Sequence, residues 1–174
     1  MTTADIGPDL DIQISVEAGD WPSEDALETL AARVLMTAAA FLEREEEQPF
    51  PEMPVELSLV FADDEMIRGI NAEWRDKDKP TNVLSFPAFP LEPGGMPGPM
   101  LGDIIIAKEI VEREAADLDK TFDEHLTHLL VHGFLHLFGY DHIEISEAEE
   151  MEELETRILA VLGLSDPYQG QDPV

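Results

Sequence analysis

The sequence contains no cysteine, and this absence removes whole classes of site. The chain therefore has no disulfide, iron–sulfur cluster, thiolate zinc finger or thiol nucleophile, and a metal site must use His, Asp or Glu. Long apolar runs are also missing, because no uncharged stretch approaches the roughly 18 residues that a membrane helix needs. The first residues lack the basic and apolar regions of a signal peptide. We therefore expect a cytoplasmic protein that does not use a membrane.

Basic residues are scarce as well. The 174 residues include 10 Lys and Arg against 39 Asp and Glu, which gives a formal net charge of −29. A field of this sign repels phosphate backbones and anionic membranes at long range. We therefore expect no DNA binding and no general coating of nucleic acid, and any contact with RNA must be local.

Hydrophobic periodicity predicts about four strands and five helices in a single domain over residues 1–174. This mixture favours an α+β fold with a small, mixed four-stranded sheet over a strict βαβ series. The segment Pro90–Pro99 is too rich in Pro and Gly for regular structure, and the tail 165–174 is expected to be disordered. The predicted strands are Leu10–Val16, Val55–Phe61, Val83–Phe86 and Leu101–Ala107; the predicted helices run from Ser23 to about Glu43, Asp64 to about Trp74, Lys108 to about Leu118, Thr121 to Gly139 and Ser146 to Gly163.

Capping-box patterns mark the starts of the last two helices. Thr121 is followed three residues later by Glu124, and Ser146 is followed at the same spacing by Glu149. Met151 belongs to the apolar stripe of the last helix and is predicted to lie in the core. The run 144–155, with seven Glu in twelve residues, is predicted to be the solvated face of that helix, without a role in a site.

The histidines are not scattered: four of the five lie on the helix that follows Thr121, and the fifth comes just after its end. His132 and His136 are four residues apart, so at about 100° per residue they share one helix face within roughly 40°. Gly139 can adopt the left-handed conformation that ends a helix, which allows His142 to turn back toward the same point. The spacing therefore predicts a metal site of three imidazoles on a central helix.

This spacing is the one found in metzincin zinc proteases, with a glycine turn between the second and third ligands. Three imidazoles leave a fourth position for water, which is typical of catalytic zinc, although nickel, copper and cobalt also accept such ligands. The residue after the first ligand is Gly133, where those proteases carry the Glu that acts as general base. A protease built on this pattern would lack its proton acceptor.

The other two histidines on the helix have simpler interpretations. His125 is predicted to be an ordinary helix residue without a role in the site, and it could simply face solvent. For His128, one turn before His132, an ordinary helix position and a supporting or substrate-side role remain open alternatives.

A second constellation is electrostatic, because four of the ten basic residues fall between Arg68 and Lys79. Arg75 precedes a predicted strand, and its guanidinium fork could hold a phosphate through two bonds. A structural ion pair with a neighbouring carboxylate is the alternative for Arg75. Lys77 and Lys79 are predicted to lie in a solvated loop.

Four blocks of this sequence resemble the YbeY family of bacterial endoribonucleases and rRNA maturation factors. The blocks are His132-Gly-Phe-Leu-His-Leu-Phe-Gly-Tyr-Asp-His142, Asn71-Ala-Glu-Trp-Arg75, Lys79-Pro-Thr-Asn-Val-Leu-Ser-Phe-Pro87 and Leu101-Gly-Asp-Ile-Ile-Ile106. They stand in the family's order and cover most of positions 55–165. Asn82 differs from the Asp that many members carry.

The resemblance implies an α+β fold with a metalloprotease-like metal helix and one zinc ion per chain on His132, His136 and His142. It also implies that Arg75 occupies the family's important arginine position. The implied activity is metal-dependent, single-strand-specific RNA cleavage in 16S rRNA 3′-end maturation and ribosome quality control. The implied partners are single-stranded rRNA and the small ribosomal subunit or a protein associated with it.

Two other functions remain alternatives at this point. The ligand spacing allows a zinc hydrolase that acts on peptides, although Gly133 weakens this interpretation. The chain could also be a ribosome-assembly factor whose zinc is mainly structural. No residue identifies a general base with certainty, and Asp141 and His128 are the nearest candidates.

Overall fold

The structure is a computed structural model that describes residues 8–79, 81–141, 143–165 and 167. Its elements confirm the predicted α+β class and fall within a few residues of the predicted bounds. The strands are β1 (Leu10–Val16), β2 (Val55–Ala62), β3 (Val83–Pro87) and β4 (Met100–Ala107), and the helices are α1 (Glu24–Glu45), α2 (Asp64–Arg75), α3 (Lys108–Asp117), α4 (Phe122–Leu137) and α5 (Ile145–Val161).

The four strands form one mixed sheet in the order β1-β2-β4-β3. β1, β2 and β4 are parallel, whereas β3 runs antiparallel to β4 and lies at the edge. The alternation of apolar and polar residues in β2 buries Leu57 and Leu59 on one face. The edge position of β3 leaves one side of its backbone unpaired within the sheet, next to the loop that follows α2.

Helices cover both faces of the sheet. The larger core lies between the sheet and the helices α1, α4 and α5, and includes Leu35, Phe61 and Phe134. The smaller core lies on the opposite face, where Ile67 of α2 and Ile110 of α3 pack on the sheet. Met151 is buried in the larger core, as the apolar stripe of the last helix predicts.

The predicted start and end of α4 are confirmed in detail. Thr121 and Glu124 form the reciprocal capping box at its N-terminus. At the other end Gly139 has φ of +97°, and a Cβ built there would lie 2.2 Å from the carbonyl oxygen of Leu91. Any side chain at this position would force the chain apart, so the glycine both ends the helix and admits the neighbouring loop.

The start of α5 corrects a prediction. The helix is capped two residues earlier than the Ser146–Glu149 pattern indicates, because the side chain of Glu147 accepts a hydrogen bond from the N–H of Glu144. The sequence offers two overlapping patterns with the same three-residue spacing, and the earlier one starts the helix at Ile145.

Two further predictions concern segments outside the regular elements. The Pro-rich segment 90–99 has no helix or strand, as predicted, and Gln48 anchors it by donating a hydrogen bond to Gly95 O at 2.7 Å. Most of the tail 165–174 lies outside the described residues. Among the residues that are described, no helix is long and apolar enough to cross a membrane.

Candidate active site

A cleft of about 810 Å³ lies between the edge strand β3 and the C-terminal half of α4. One of its walls comes from the loop after α2 and from β3, and the other comes from α4 and the turn at Gly139. The side chains that matter for chemistry are gathered in this cleft: Asn71, Arg75, Lys77, Lys79, Asn82, Ser85, His132, His136, Tyr140 and Asp141. The structure thus brings the predicted arginine and two of the three predicted histidines together.

His132 and His136 point into the cleft from successive turns of α4. Their Nε2 atoms lie 3.0 Å apart, and their rings meet nearly at right angles, with centroids separated by 4.6 Å. Both residues are half-buried, so their ring nitrogens are accessible from the cleft. This is the convergence that the four-residue spacing predicts.

The Nδ1 atoms of both rings are held by acceptors on the protein. Nδ1 of His136 donates to Tyr140 O at 2.9 Å, and Nδ1 of His132 lies 3.1 Å from Oε2 of Glu155. With the proton on Nδ1, each neutral ring presents a lone pair on Nε2. Two such lone pairs 3.0 Å apart repel unless a cation or a proton lies between them.

These residues fit a zinc ion. Two nitrogens bound to one tetrahedral zinc at about 2.0–2.1 Å lie roughly 3.3 Å apart, close to the observed separation. Imidazoles whose other nitrogen donates to a carboxylate or a carbonyl are the usual form of a zinc ligand. The donor set of His132 and His136, fixed at Nδ1 and with both Nε2 atoms close together in the cleft, therefore suits the metal that the sequence predicts.

Glu155 is the residue that sequence analysis missed. It is fully buried on α5, and its second oxygen, Oε1, lies 2.5 Å from Nε2 of His128. Burial alone would raise the pKa of Glu155, but the hydrogen bonds from His128 and His132 outweigh burial and lower it to about 2. Glu155 is therefore an ionised carboxylate that accepts from both histidines.

The interpretation of the run 144–155 as purely solvated is thus wrong at its last residue. A signal was present, since Glu155 lies four residues after Met151 and three before Ile158, both of which belong to the predicted apolar stripe. A carboxylate in register with a buried stripe needs a partner, and the histidine-rich face of α4 supplies it.

His125 does not line the cleft, which agrees with the absence of a predicted site role, but it is buried and does not face solvent. Only 4% of it is exposed, and its Nε2 lies 2.8 Å from Oε1 of Glu114 on α3. The amide of Asn82 donates to the same carboxylate at 3.0 Å. The amide suits this position, since an Asp there would place a second carboxylate against Glu114.

The predicted third ligand, His142, lies outside the described residues. Within the part of the chain that is described, no group of three or more His, Asp or Glu is arranged to hold a metal ion. Of the two candidate bases, Asp141 lines the cleft, whereas His128 is turned onto Glu155.

Arg75 ends α2 and reaches β3. Its Nη2 donates to Ser85 O at 2.7 Å, and its guanidinium carbon lies 5.0 Å from the centre of the Phe86 ring. Among the described residues it forms no ion pair with a carboxylate, which disfavours the salt-bridge alternative. Arg68 behaves differently, because it pairs with Asp78 at 2.8 Å on the surface.

Two further residues limit the chemistry. A Cβ at Gly133 would lie 3.0 Å from Cγ2 of Ile104 and 3.2 Å from Oγ of Ser85, so a glutamate there would meet the sheet. The protease interpretation therefore lacks its general base, and a side chain at this position would require Ile104 and Ser85 to shift. Burial and the nearby acidic side chains raise the pKa of Tyr140 to about 12, so its hydroxyl stays protonated near neutral pH.

Comparison with known proteins identifies the family of this chain. The family model described as Endoribonuclease YbeY matches residues 13–163. The chain belongs to the YbeY family. An endoribonuclease YbeY of Agrobacterium fabrum is 78% identical over 165 residues, which cover 95% of this chain and 98% of the relative. One of Rhizobium meliloti is 73% identical over 164 residues, covering 94% and 98% respectively.

A solved structure resembles this chain in fold. The solution structure of TM1509 from Thermotoga maritima matches with a TM-score of 0.50 at 23% identity, and the match covers 94% of this chain and 98% of that one. At this identity the likeness concerns the fold alone. Membership of the family favours neither a peptidase nor an assembly factor without nuclease activity.

Proposed function

We propose that this chain is a metal-dependent, single-strand-specific endoribonuclease, with one zinc ion held by His132, His136 and His142. The observation that carries the proposal is the approach of the Nε2 atoms of His132 and His136 to 3.0 Å in the cleft that Arg75 also lines. The relatives named endoribonuclease YbeY support RNA as the substrate.

Arg75 is proposed to bind the scissile phosphate. Its bond to Ser85 O and its stacking on Phe86 fix the plane of the guanidinium and engage only one of its nitrogens. The other N–H groups have no acceptor among the described residues and can donate to phosphate oxygens. A positioned cation of this kind stabilises the negative charge that develops on the phosphate during cleavage.

The chemistry that a bound zinc ion supplies in this cleft is Lewis-acid polarisation of the phosphodiester. Glu155 orients His132 for this purpose, and Tyr140 O orients His136. Asp141 lies in the cleft and is the candidate to accept a proton from the attacking oxygen.

Either water or the 2′-hydroxyl of the RNA can be the attacking group, and the product ends distinguish them. Attack by the 2′-hydroxyl leaves a 2′,3′-cyclic phosphate, whereas attack by water leaves a linear phosphate. Treatment of the cleaved RNA with an enzyme that opens cyclic phosphates, followed by gel mobility, separates the two.

The decisive experiment compares cleavage of one labelled RNA as a single strand and as a duplex. Wild type should cut the single strand and spare the duplex. Arg75→Ala should lose about 100-fold or more in rate, in line with the loss of one donor to a developing charge. Arg75→Lys should recover only part of the rate, because a lysine lacks the planar fork.

Equal rates for wild type and Arg75→Ala would contradict the role of the arginine. Absence of single-strand cleavage by zinc-loaded wild type would contradict the proposed function itself. Arg68→Ala is the matched control, since Arg68 is paired with Asp78 on the surface and should leave the rate unchanged.

The cellular role proposed is 16S rRNA 3′-end maturation and ribosome quality control in the cytoplasm. The net charge of −29 opposes capture of free RNA at a distance, so the small ribosomal subunit or a protein bound to it is proposed to deliver the substrate. Co-sedimentation of a larger fraction of the chain with small subunits than with naked rRNA at equal concentration is the expected result.

A further inference from the structure

The two tryptophans of the chain have opposite surroundings. Trp21 is 9% exposed, packs against Phe61, and donates from Nε1 to Ala62 O at 3.0 Å. Trp74, in the last turn of α2, is 67% exposed. An indole is the largest apolar side chain and is highly buried on average, so packing in the core does not explain Trp74.

Trp74 is nevertheless held in place. Its ring meets that of Phe86 on β3 edge to face, with centroids 6.5 Å apart and planes inclined by 66°. The guanidinium of Arg75 lies 5.0 Å from the centre of the same Phe86 ring. Trp74 and Arg75 are therefore fixed against one aromatic ring, which places the exposed indole beside the arginine proposed to bind phosphate.

The charges around this group favour an anionic strand. Arg75, Lys77 and Lys79 line the cleft, and none of the three has a carboxylate partner among the described residues. Asp78, the acidic residue between the two lysines, is already paired with Arg68. In a chain with 10 basic residues, this is a local site for phosphates next to an exposed aromatic ring.

We propose that the indole of Trp74 stacks on a base of the single-stranded RNA whose phosphates contact Arg75, Lys77 and Lys79. Single strands are recognised in this way, because unpaired bases splay onto aromatic rings while cations hold the backbone. A duplex offers no free base face, so the contact also selects single strands. The proposal rests on the proposed function, since it assigns part of the site that binds the same substrate.

The proposal is tested by measuring how tightly the chain binds a fluorescently labelled, 2′-O-methylated oligonucleotide. Binding is followed by the fluorescence anisotropy of the label, and a gel confirms that the oligonucleotide is not cleaved. Trp74→Ala should weaken binding about tenfold, within the range measured for single base–aromatic stacks. Trp74→Phe should bind nearly as well as wild type, because it keeps a stacking ring. For an oligonucleotide with abasic positions throughout, wild type and Trp74→Ala should bind equally.

Tryptophan fluorescence supplies a second readout. RNA should quench the emission of wild type, but not that of Trp74→Phe, where the buried Trp21 is the remaining indole. Far-UV circular dichroism should be the same for all three proteins, because residue 74 is exposed and contributes little to the core.

Equal affinity of wild type and Trp74→Ala for the intact oligonucleotide would overturn the stacking site, and the exposed ring would then fit a protein surface instead. A tenfold difference in affinity between wild type and Trp74→Ala for the abasic oligonucleotide would also overturn the stacking site, because the indole would then contribute to binding without a base. If wild type neither binds nor cleaves single strands, the proposed function itself is contradicted. If wild type binds and cleaves but Trp74→Ala binds equally well, only the role of Trp74 is contradicted.

Discussion

Helix α4 carries two pairs of histidines that differ in what their ring nitrogens meet. In the first half, His125 and His128 turn their Nε2 atoms onto carboxylates of other helices, Glu114 and Glu155. In the second half, His132 and His136 turn Nδ1 toward protein acceptors and leave the Nε2 atoms facing each other in the cleft. Identical side chains at similar spacing thus serve different purposes.

The group that Nε2 faces therefore determines what each histidine ring can do. A histidine whose Nε2 is bound to a carboxylate joins helices and stabilises the fold. A histidine that is held at Nδ1 and turns Nε2 into the cleft is oriented as a metal ligand. Glu155 connects the two halves of α4, because its Oε1 accepts from His128 of the first pair and its Oε2 accepts from His132 of the second pair.

The largest difference between the pairs should appear on loss of one ring. His136→Ala should abolish zinc binding and lower RNA cleavage by more than the roughly 100-fold that loss of an outer partner of a metal ligand costs. His125→Gln should keep both zinc and cleavage, and should lower only the free energy of unfolding, by about 1–3 kcal/mol. Zinc content and cleavage rate are measured on the same samples. Equal loss of zinc in His136→Ala and His125→Gln would contradict the different roles of the two pairs.

A smaller effect is expected at the residue that links the pairs. Glu155→Gln keeps the size of the side chain but removes its charge, so His132 loses the anion that fixes its tautomer. Zinc affinity should fall by roughly 10–100-fold. Competition with a coloured chelator measures the affinity independently of cleavage.

Glu153→Gln is the matched control, because it makes the same change at an exposed position of α5. It should leave zinc affinity unaltered. If Glu155→Gln binds zinc as tightly as this control does, the orienting role assigned to Glu155 is wrong.

The smallest expected effect is a pH-dependent change in the free energy of unfolding, and it concerns the contact between His125 and Glu114. Burial opposes ionisation of Glu114, but hydrogen bonds from His125 and Asn82 outweigh it and lower the pKa below the ordinary 4.5. A carboxyl with a depressed folded pKa stabilises the fold above its unfolded pKa, and this contribution is lost as pH falls through the folded value. Glu114→Gln should therefore be less stable than wild type at neutral pH, by about 1 kcal/mol, with a gap that narrows below about pH 4.5.

Urea midpoints of the metal-free proteins between about pH 7 and pH 3 measure this gap. Asp117→Asn changes an exposed carboxylate on the same helix and should show no such narrowing. A gap for Glu114→Gln that stays constant down to pH 3 would contradict the assignment.

Local spacing predicts what lies along one helix. The separation of His132 and His136 and the glycine at 139 are properties of a single stretch of chain, and the structure confirms the shared face and the left-handed turn. The strands and helices were predictable for the same reason, since each carries its own periodicity and turn residues.

What the sequence could not predict depends on contacts between helices. Periodicity showed that His125 and Glu155 lie on α4 and α5, but not that each face meets an oppositely charged group on a neighbour. Glu155 was therefore assigned to a solvated run, and the carboxylate partner of His125 was not predicted, although both residues are buried. Pairing of this kind is set by the packing of α3 and α5 against α4, which single-helix patterns do not contain.

We propose that His132 and His136 on α4, together with His142, hold a zinc ion. X-ray absorption at the zinc edge, on protein loaded with one equivalent of zinc and dialysed, tests it most directly. We expect the protein to retain zinc after dialysis. The spectrum should show nitrogen and oxygen ligands at about 2.0–2.1 Å and the outer-shell scattering of three imidazoles. Zinc that is lost on dialysis, or a shell without imidazole scattering, would contradict it.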